Sequence, residues 1–328
     1  MRRRRHVTAW TIVWLLLAAL LLAAVVVVWR APEAATWRYR IESGGVPVMS
    51  ATAPVLSAGL QWADDYYAVA DLGQGAFAIG EPKYGQCNFS YLIVGTQRAL
   101  LFDTGPGVRD ISPLVRSMLP ASMPLEVLPS HLHFDHTGNL HHFDHVVLPD
   151  LPALHDQVRD GSFHLGFYQS LGFVEGFPRV PFHVSRWIEP GSVLDLGGRR
   201  LEMLSLPGHT PDSVVLYDRD ANRVFAGDFI YPTSIYAFLP HADLSSYAAS
   251  ARRLRDLIDD RTRVYGAHGC DHPQVDVPTL TRADVAALET ALTQAATHIG
   301  RLGTGWYPRV VPVNDRMRLL ATYPWMAR

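Results

Sequence analysis

The stretch Ser130-His131-Leu132-His133-Phe134-Asp135-His136-Thr137-Gly138 puts four potential metal ligands within six residues. The apolar run Leu125-Glu126-Val127-Leu128-Pro129 leads into it and reads as a short buried strand. His131 and His133 are two apart, so in extended chain they point to the same side. Together they can hold two corners of one tetrahedral site. Asp135 and His136 come after the chain must turn and are free to face a second metal. Imidazole nitrogen and carboxylate oxygen are ligand types that catalytic zinc accepts. A polar surface loop in a chain with 15 His is the bland alternative. Four ligands at this density behind an apolar strand argue against it.

Four further segments fall into line with the motif. Leu100-Leu101-Phe102-Asp103-Thr104-Gly105 is a strand ending in Asp. Pro207-Gly208-His209-Thr210 places a His at a turn. Phe225-Ala226-Gly227-Asp228 is a strand ending in Gly-Asp, and Gly266-Ala267-His268-Gly269 supplies a last His. The five segments, in this order, resemble the metallo-β-lactamase superfamily, whose core signature is His-x-His-x-Asp-His. The resemblance covers about Tyr66 to Ala296.

The resemblance implies an α/β (α+β) fold: the αββα metallo-β-lactamase sandwich, two packed mixed sheets with helices outside. It also implies a ligand set. His131, His133 and His209 bind one metal; Asp135, His136 and His268 bind the other; Asp228 bridges both. The implied cofactors are two Zn²⁺, with iron or manganese also suited to these ligands. A hydroxide shared by the metals would attack a carbonyl carbon, since metals lower the pKa of bound water to about 7. The candidate catalytic residues are Asp135, which also ligates, and Tyr231. Asp228, followed by Tyr231, resembles the lactonase and acyl-CoA-thioesterase-like branches, where the Tyr faces substrate. A phenol there can donate to the developing oxyanion or leaving group; a half-buried strand-end Tyr is the structural alternative. The expected activity is hydrolysis of an ester-type acyl bond in a lactone, thioester or ester. An iron-dependent oxidoreductase on the same fold and a true β-lactamase are the competing readings. Asp103 suits an orienting role behind the ligands. Asn139 stands where many members have Gly. His268 is preferred to His272 as the last ligand because it directly follows a strand end.

The chain has 328 residues and a formal net charge of -2, with 48% hydrophobic residues. Near-neutral charge argues against nucleic acid as a partner. The expected partner is a small-molecule substrate with an apolar acyl group. Residues 1–6 read as a basic cytoplasmic tail carrying Arg2 to Arg5. Val7 to Trp29 is an uncharged apolar run, long enough for a bilayer that needs about 20 residues. It is expected to be a single-pass transmembrane anchor with the catalytic domain outside, in the periplasm or its equivalent. Cleavage near Ala31 to Ala35 stays open. Residues 30–65 are expected to be a stalk, 66–300 the catalytic domain and 301–328 a C-terminal segment. That last segment, with Trp306, Tyr307, Tyr323 and Trp325, is expected to pack back on the domain.

Two features stay undecided in the sequence. Cys87 and Cys270 suit either a disulfide or two buried thiols, in a domain expected in an oxidising compartment. Between the motif and His209, residues 162–173 carry Phe163, Phe167, Tyr168 and Phe173, broken by Gly166 and Gly172, with Phe177, Phe182 and Trp187 beyond. This is a Gly-hinged aromatic lid, core filling under a sheet, or a surface that touches the bilayer.

Overall fold

The computed structural model describes residues 9–271, 274–297, 303–304 and 306–324. The expected basic tail, His272 and Trp325 lie outside the described residues.

Apolar strands close to the motif assemble one mixed eight-stranded sheet. Its order is Val184–Ile188, Val146–Pro149, Leu125–Leu128, Ala99–Phe102, Phe89–Val94, Ala76–Gly80, Ala68–Gly73 and Gln61–Trp62. The strand Ala99–Phe102 pairs parallel with Leu125–Leu128, Phe102 opposite Leu128. Both strands therefore end together, and Asp103 and Ser130 emerge side by side. A second, six-stranded sheet runs Val193–Asp195, Arg200–Ser205, Val214–Asp218, Arg223–Gly227, Arg263–Gly266 and Thr279–Leu280. Arg223–Gly227 and Arg263–Gly266 are its parallel pair, so Asp228 and His268 also leave at one end. The strands are apolar on both faces because each sheet is covered on both faces.

Tyr91, Phe102, Met203, Leu216, Phe225 and Tyr265 fill the space between the sheets. Helix Ser112–Ser117 contributes Val115 to the layer outside the first sheet. Helices Leu244–Leu257 and Arg282–Thr297 cover the second. This is the expected arrangement of two packed sheets between helices. Asp243 caps the former helix by accepting from the Ser246 backbone N–H at 2.6 Å. Ala68–Gly73 and Ala76–Gly80 form a hairpin, because Gly73, Gln74 and Gly75 all take positive φ and turn the chain. The C-terminal segment does pack back: Met317–Ala321 pairs parallel with Thr233–Ala237 and antiparallel with Arg309–Pro312.

The N-terminal region departs from expectation. Helix α1 (Ala9–Trp29) is followed directly by helix α2 (Ala31–Ser43). The uninterrupted stretch of described side chains in α1 is 12–23. Among the described residues no helix is long and apolar enough to cross a membrane, so the structure does not support the expected transmembrane helix over Val7 to Trp29. Residues 30–65, expected to be a stalk, contain α2 and the short strands Val55–Leu56 and Gln61–Trp62. Helix α2 lies against the catalytic domain: Ser43 Oγ donates to the Val174 carbonyl at 2.6 Å and the Trp37 ring lies 4.9 Å from that of Phe173. Val55–Leu56 and Gln61–Trp62 pair with strands of the domain.

Candidate metal centre

The motif begins as extended chain and then coils. His133 has φ -69 and ψ 154, and Phe134–Thr137 forms one helical turn after it. His133 thus leaves from extended backbone, while Asp135 and His136 leave from the turn. Asp103, in left-handed backbone at φ 67, holds the motif from behind. Its Oδ1 accepts from the Ser130 backbone N–H at 2.5 Å, and its Oδ2 lies 3.0 Å from His136 Nδ1. Gly227, at φ 52, lets the second sheet approach, since a Cβ there would collide with the Ser130 side chain.

All seven expected ligands meet, in two groups that could hold a metal ion: His131, His133, His209 and Asp228, and Asp135, His136, Asp228 and His268. Within each group one ligand atom per residue lies within 4.8 Å of the others, and all seven residues are buried. Asp228 belongs to both. Its Oδ1 is 2.9 Å from His268 Nε2 and 3.3 Å from His136 Nε2, and its Oδ2 is 3.5 Å from His209 Nε2. Two further contacts aim the imidazoles. His209 Nδ1 is 2.7 Å from the Tyr236 carbonyl and His268 Nδ1 is 3.2 Å from the Gln86 carbonyl. A carbonyl can only accept, so each Nδ1 carries the proton and each Nε2 is left as a ligand atom.

The residues fit cations. His136 Nε2 and Asp228 Oδ1 are buried without a hydrogen bond, a costly state unless something else binds them; His133 turns its Nδ1 to within 2.8 Å of His131 Nε2 and 3.1 Å of His209 Nε2. Burial holds His131 and His209 below the usual imidazole range and takes His133 down to about 3. All three are therefore neutral, the form that ligates. At Asp228 burial opposes ionisation, but His268 and His136 outweigh it and keep the carboxylate charged. At His136 burial is likewise outweighed, by Asp135, Asp103 and Asp228, so the ring is held well above its usual range. A pocket that draws a proton this strongly offers the same field to a cation.

Some functional positions were not visible in the sequence. Asn88 donates through Nδ2 to the Asp135 carbonyl at 2.8 Å and contacts Asp135 Oδ2 at 3.3 Å. Asn139, the departure from Gly, donates to the Thr104 carbonyl at 2.7 Å and ties the motif to the Asp103 turn. Tyr231 is buried with its ring 4.8 Å from that of His268, and its hydroxyl accepts from the Tyr236 backbone N–H at 3.3 Å. His141 and His142 stack on each other outside both groups, with His142 Nδ1 3.7 Å from Asp110 Oδ2. The rings of the aromatic segment fall in two places. Phe163 stacks on Phe182 in the core, whereas Phe167 stacks on Phe173 at 4.3 Å beside the site.

Two sheets meeting over paired ligand groups define a metallo-hydrolase. A family model described as the metallo-beta-lactamase superfamily matches residues 85–268, and the chain belongs to that superfamily. It is 32% identical over 214 residues to the acyl-coenzyme A thioesterase MBLAC2 of Gallus gallus, covering 60% of this chain and 77% of the relative. The protein of the same name from Homo sapiens is 30% identical over 217 residues, with 60% and 77% covered. Among solved structures, the metallo-beta-lactamase from Pontibacter korlensis matches with a TM-score of 0.52 at 19% identity, covering 69% of this chain and 99% of that one. That likeness concerns the fold.

Proposed function

We propose that the protein is a dinuclear-metal hydrolase that cleaves an ester-type acyl bond in a lactone, thioester or ester. The observation that carries this is the division of the Asp228 oxygens between the two ligand groups. The relatives named as acyl-coenzyme A thioesterases support an acyl substrate. His131, His133 and His209 would hold one cation, Asp135, His136 and His268 the other, with Asp228 placed to serve both. Two divalent cations, zinc by default with iron or manganese also suited, would bring the pKa of bound water to about 7 and polarise the carbonyl. The carbonyls of Tyr236 and Gln86 keep His209 and His268 from turning. Tyr231 is assigned the hydrogen bond to the oxyanion or leaving group, because its hydroxyl accepts from Tyr236 and retains its own proton to donate.

The test is a hydrolysis screen of lactones, thioesters, aryl esters and β-lactams, with and without a chelator. Turnover of an acyl ester or thioester that the chelator abolishes is the expected result. Turnover that survives complete metal removal rejects the mechanism. In the same assay Tyr231→Phe should lower kcat about 100-fold, the lower end of the range for a lost oxyanion donor. Loss of melting temperature with kcat retained would make Tyr231 purely structural.

The proposal includes attachment of α1 to a lipid bilayer with the catalytic domain on the outer side. Trp10, Leu20 and Leu21 of α1 are 74%, 67% and 68% exposed, an apolar surface that water disfavours. The full chain should float with liposomes, and the double variant Leu20→Asp, Leu21→Asp should stay in the dense fractions. Equal flotation of both would remove α1 from membrane binding.

A further inference from the structure

We infer that α2 is one wall of the acyl-chain site and sets the chain length that the enzyme accepts. This rests on the acyl-hydrolase reading above and adds a specificity element from outside the family-matched residues 85–268.

Two cavities meet at the metal centre, and His133 lines both. The smaller, about 100 Å³, has His133, Asp135, His209 and Asp228 at its base. Its walls are Ala35, Thr36 and Tyr39 of α2 on one side, and Leu171, Val174 and Leu239 on the other. Most of the remaining lining is carbon, although Gln86 and Tyr236 also border the cavity. The larger, about 870 Å³, also reaches His133 and is lined by Arg159, Arg179 and Asp212 as well as by Leu151, Leu165 and Phe167. A carbonyl carbon at the ligands would send its hydrocarbon limb into the small apolar cavity. The polar or charged leaving group would then occupy the larger one.

Helix α2 is held in place by bonds to the segment it faces. Ser43 Oγ donates to the Val174 carbonyl at 2.6 Å, and the Arg40 guanidinium donates to the Phe173 carbonyl. The Tyr39 hydroxyl donates to Glu175 Oε1 at 3.1 Å. Glu175 is fully buried and also accepts from Tyr84 Oη at 2.7 Å and the Val48 N–H at 3.1 Å. These contacts fix the distance between Ala35 and Val174, and so the depth of the cavity.

At about 30 Å³ per water-sized group, the cavity has room for about three methylene-sized groups. Hydrolysis should therefore improve about fourfold in kcat/KM per added methylene, the equivalent of about 0.8 kcal/mol, and stop improving at about C4 to C5.

The experiment uses the full chain with its metal restored and saturated straight-chain thioesters from acetyl to palmitoyl. Wild type is compared with Ala35→Phe and Val174→Phe, which fill the cavity from opposite walls. Each variant should lower the pentanoyl-to-acetyl ratio of kcat/KM at least tenfold and move the optimum to shorter chains. Calorimetry with pentanoate supplies a readout independent of turnover: wild type should bind it and both variants should bind it at least tenfold more weakly. Metal content and melting temperature identify variants that are folded. An unchanged ratio in folded, metal-loaded variants, or a flat wild-type series, overturns the role of α2. Chelator-sensitive acetyl hydrolysis in that case leaves the acyl-hydrolase reading standing. Failure to hydrolyse any thioester or ester overturns that reading and this inference together.

Discussion

Asp228→Ala is expected to lower kcat/KM by about 10³-fold or more and to reduce bound metal from two equivalents toward one or none. Asp228 Oδ1 faces His268 and His136, and Oδ2 faces His209. No other ligand belongs to both groups, so this substitution weakens both at once. Loss of a cation that stabilises transition-state charge is worth several kcal/mol. At about 1.4 kcal/mol per tenfold, that is the stated loss. The effect on folding should be smaller, about 1–3 kcal/mol, because the substitution leaves buried imidazoles short of a partner. Asp228→Asn keeps the volume but offers a single oxygen, so it should retain more metal than Asp228→Ala and still lose most of the rate. Metal analysis, melting temperature and kcat/KM on the three proteins separate these effects. A folded Asp228→Ala protein with two metals and wild-type turnover would remove the bridging role.

The site was more legible than its cover, for a physical reason. The motif from His131 to His136 is local, and the geometry of extended chain followed by a turn already separates its ligands into pairs. His209, Asp228 and His268 are distant in sequence, and they were placed by the family resemblance rather than by any local pattern. Asn88 had no such support, because one amide beside a cysteine carries no signal of the Asp135 contact it makes. Helix α2 was missed because its docking does not follow a hydrophobic stripe. Ser43 and Arg40 reach backbone carbonyls, and Tyr39 reaches a buried carboxylate. Such bonds leave no periodicity to read. The aromatic segment could not be divided in advance, since Phe163 in the core and Phe167 beside the site have the same side chain in the same composition. The pairing of Thr233–Ala237 with Met317–Ala321 joins segments too far apart for sequence pattern to connect.

Reduction of the bond between Cys87 and Cys270 is expected to destabilise the domain by about 5 kcal/mol and to loosen the second ligand group in particular. The two cysteines form a disulfide with Cα atoms 5.4 Å apart, which resolves the open choice in favour of pairing. The bridge spans a sequence separation of 183, and the chain-entropy cost removed from an unfolded loop of that size is about 5 kcal/mol. Its position gives it a local effect as well. Asn88, beside Cys87, forms an isolated bridge with His268, two residues before Cys270. The Gly269 N–H donates to the Cys87 carbonyl at 3.2 Å, and the Phe89 N–H donates to the Ala267 carbonyl at 2.7 Å. The disulfide therefore clamps two loops: one presents His268, and the other holds Asp135 through Asn88. The remaining hydrogen bonds should keep the loops close but not rigid after reduction. Cys87→Ala with Cys270→Ala should accordingly melt well below wild type and bind its second metal equivalent more weakly than its first. Wild type treated with a non-chelating reductant should behave in the same way. Thiol titration confirms that the bond has opened. An unchanged melting temperature and metal affinity with both thiols titratable would mean that the bridge holds nothing the packed loops do not already hold.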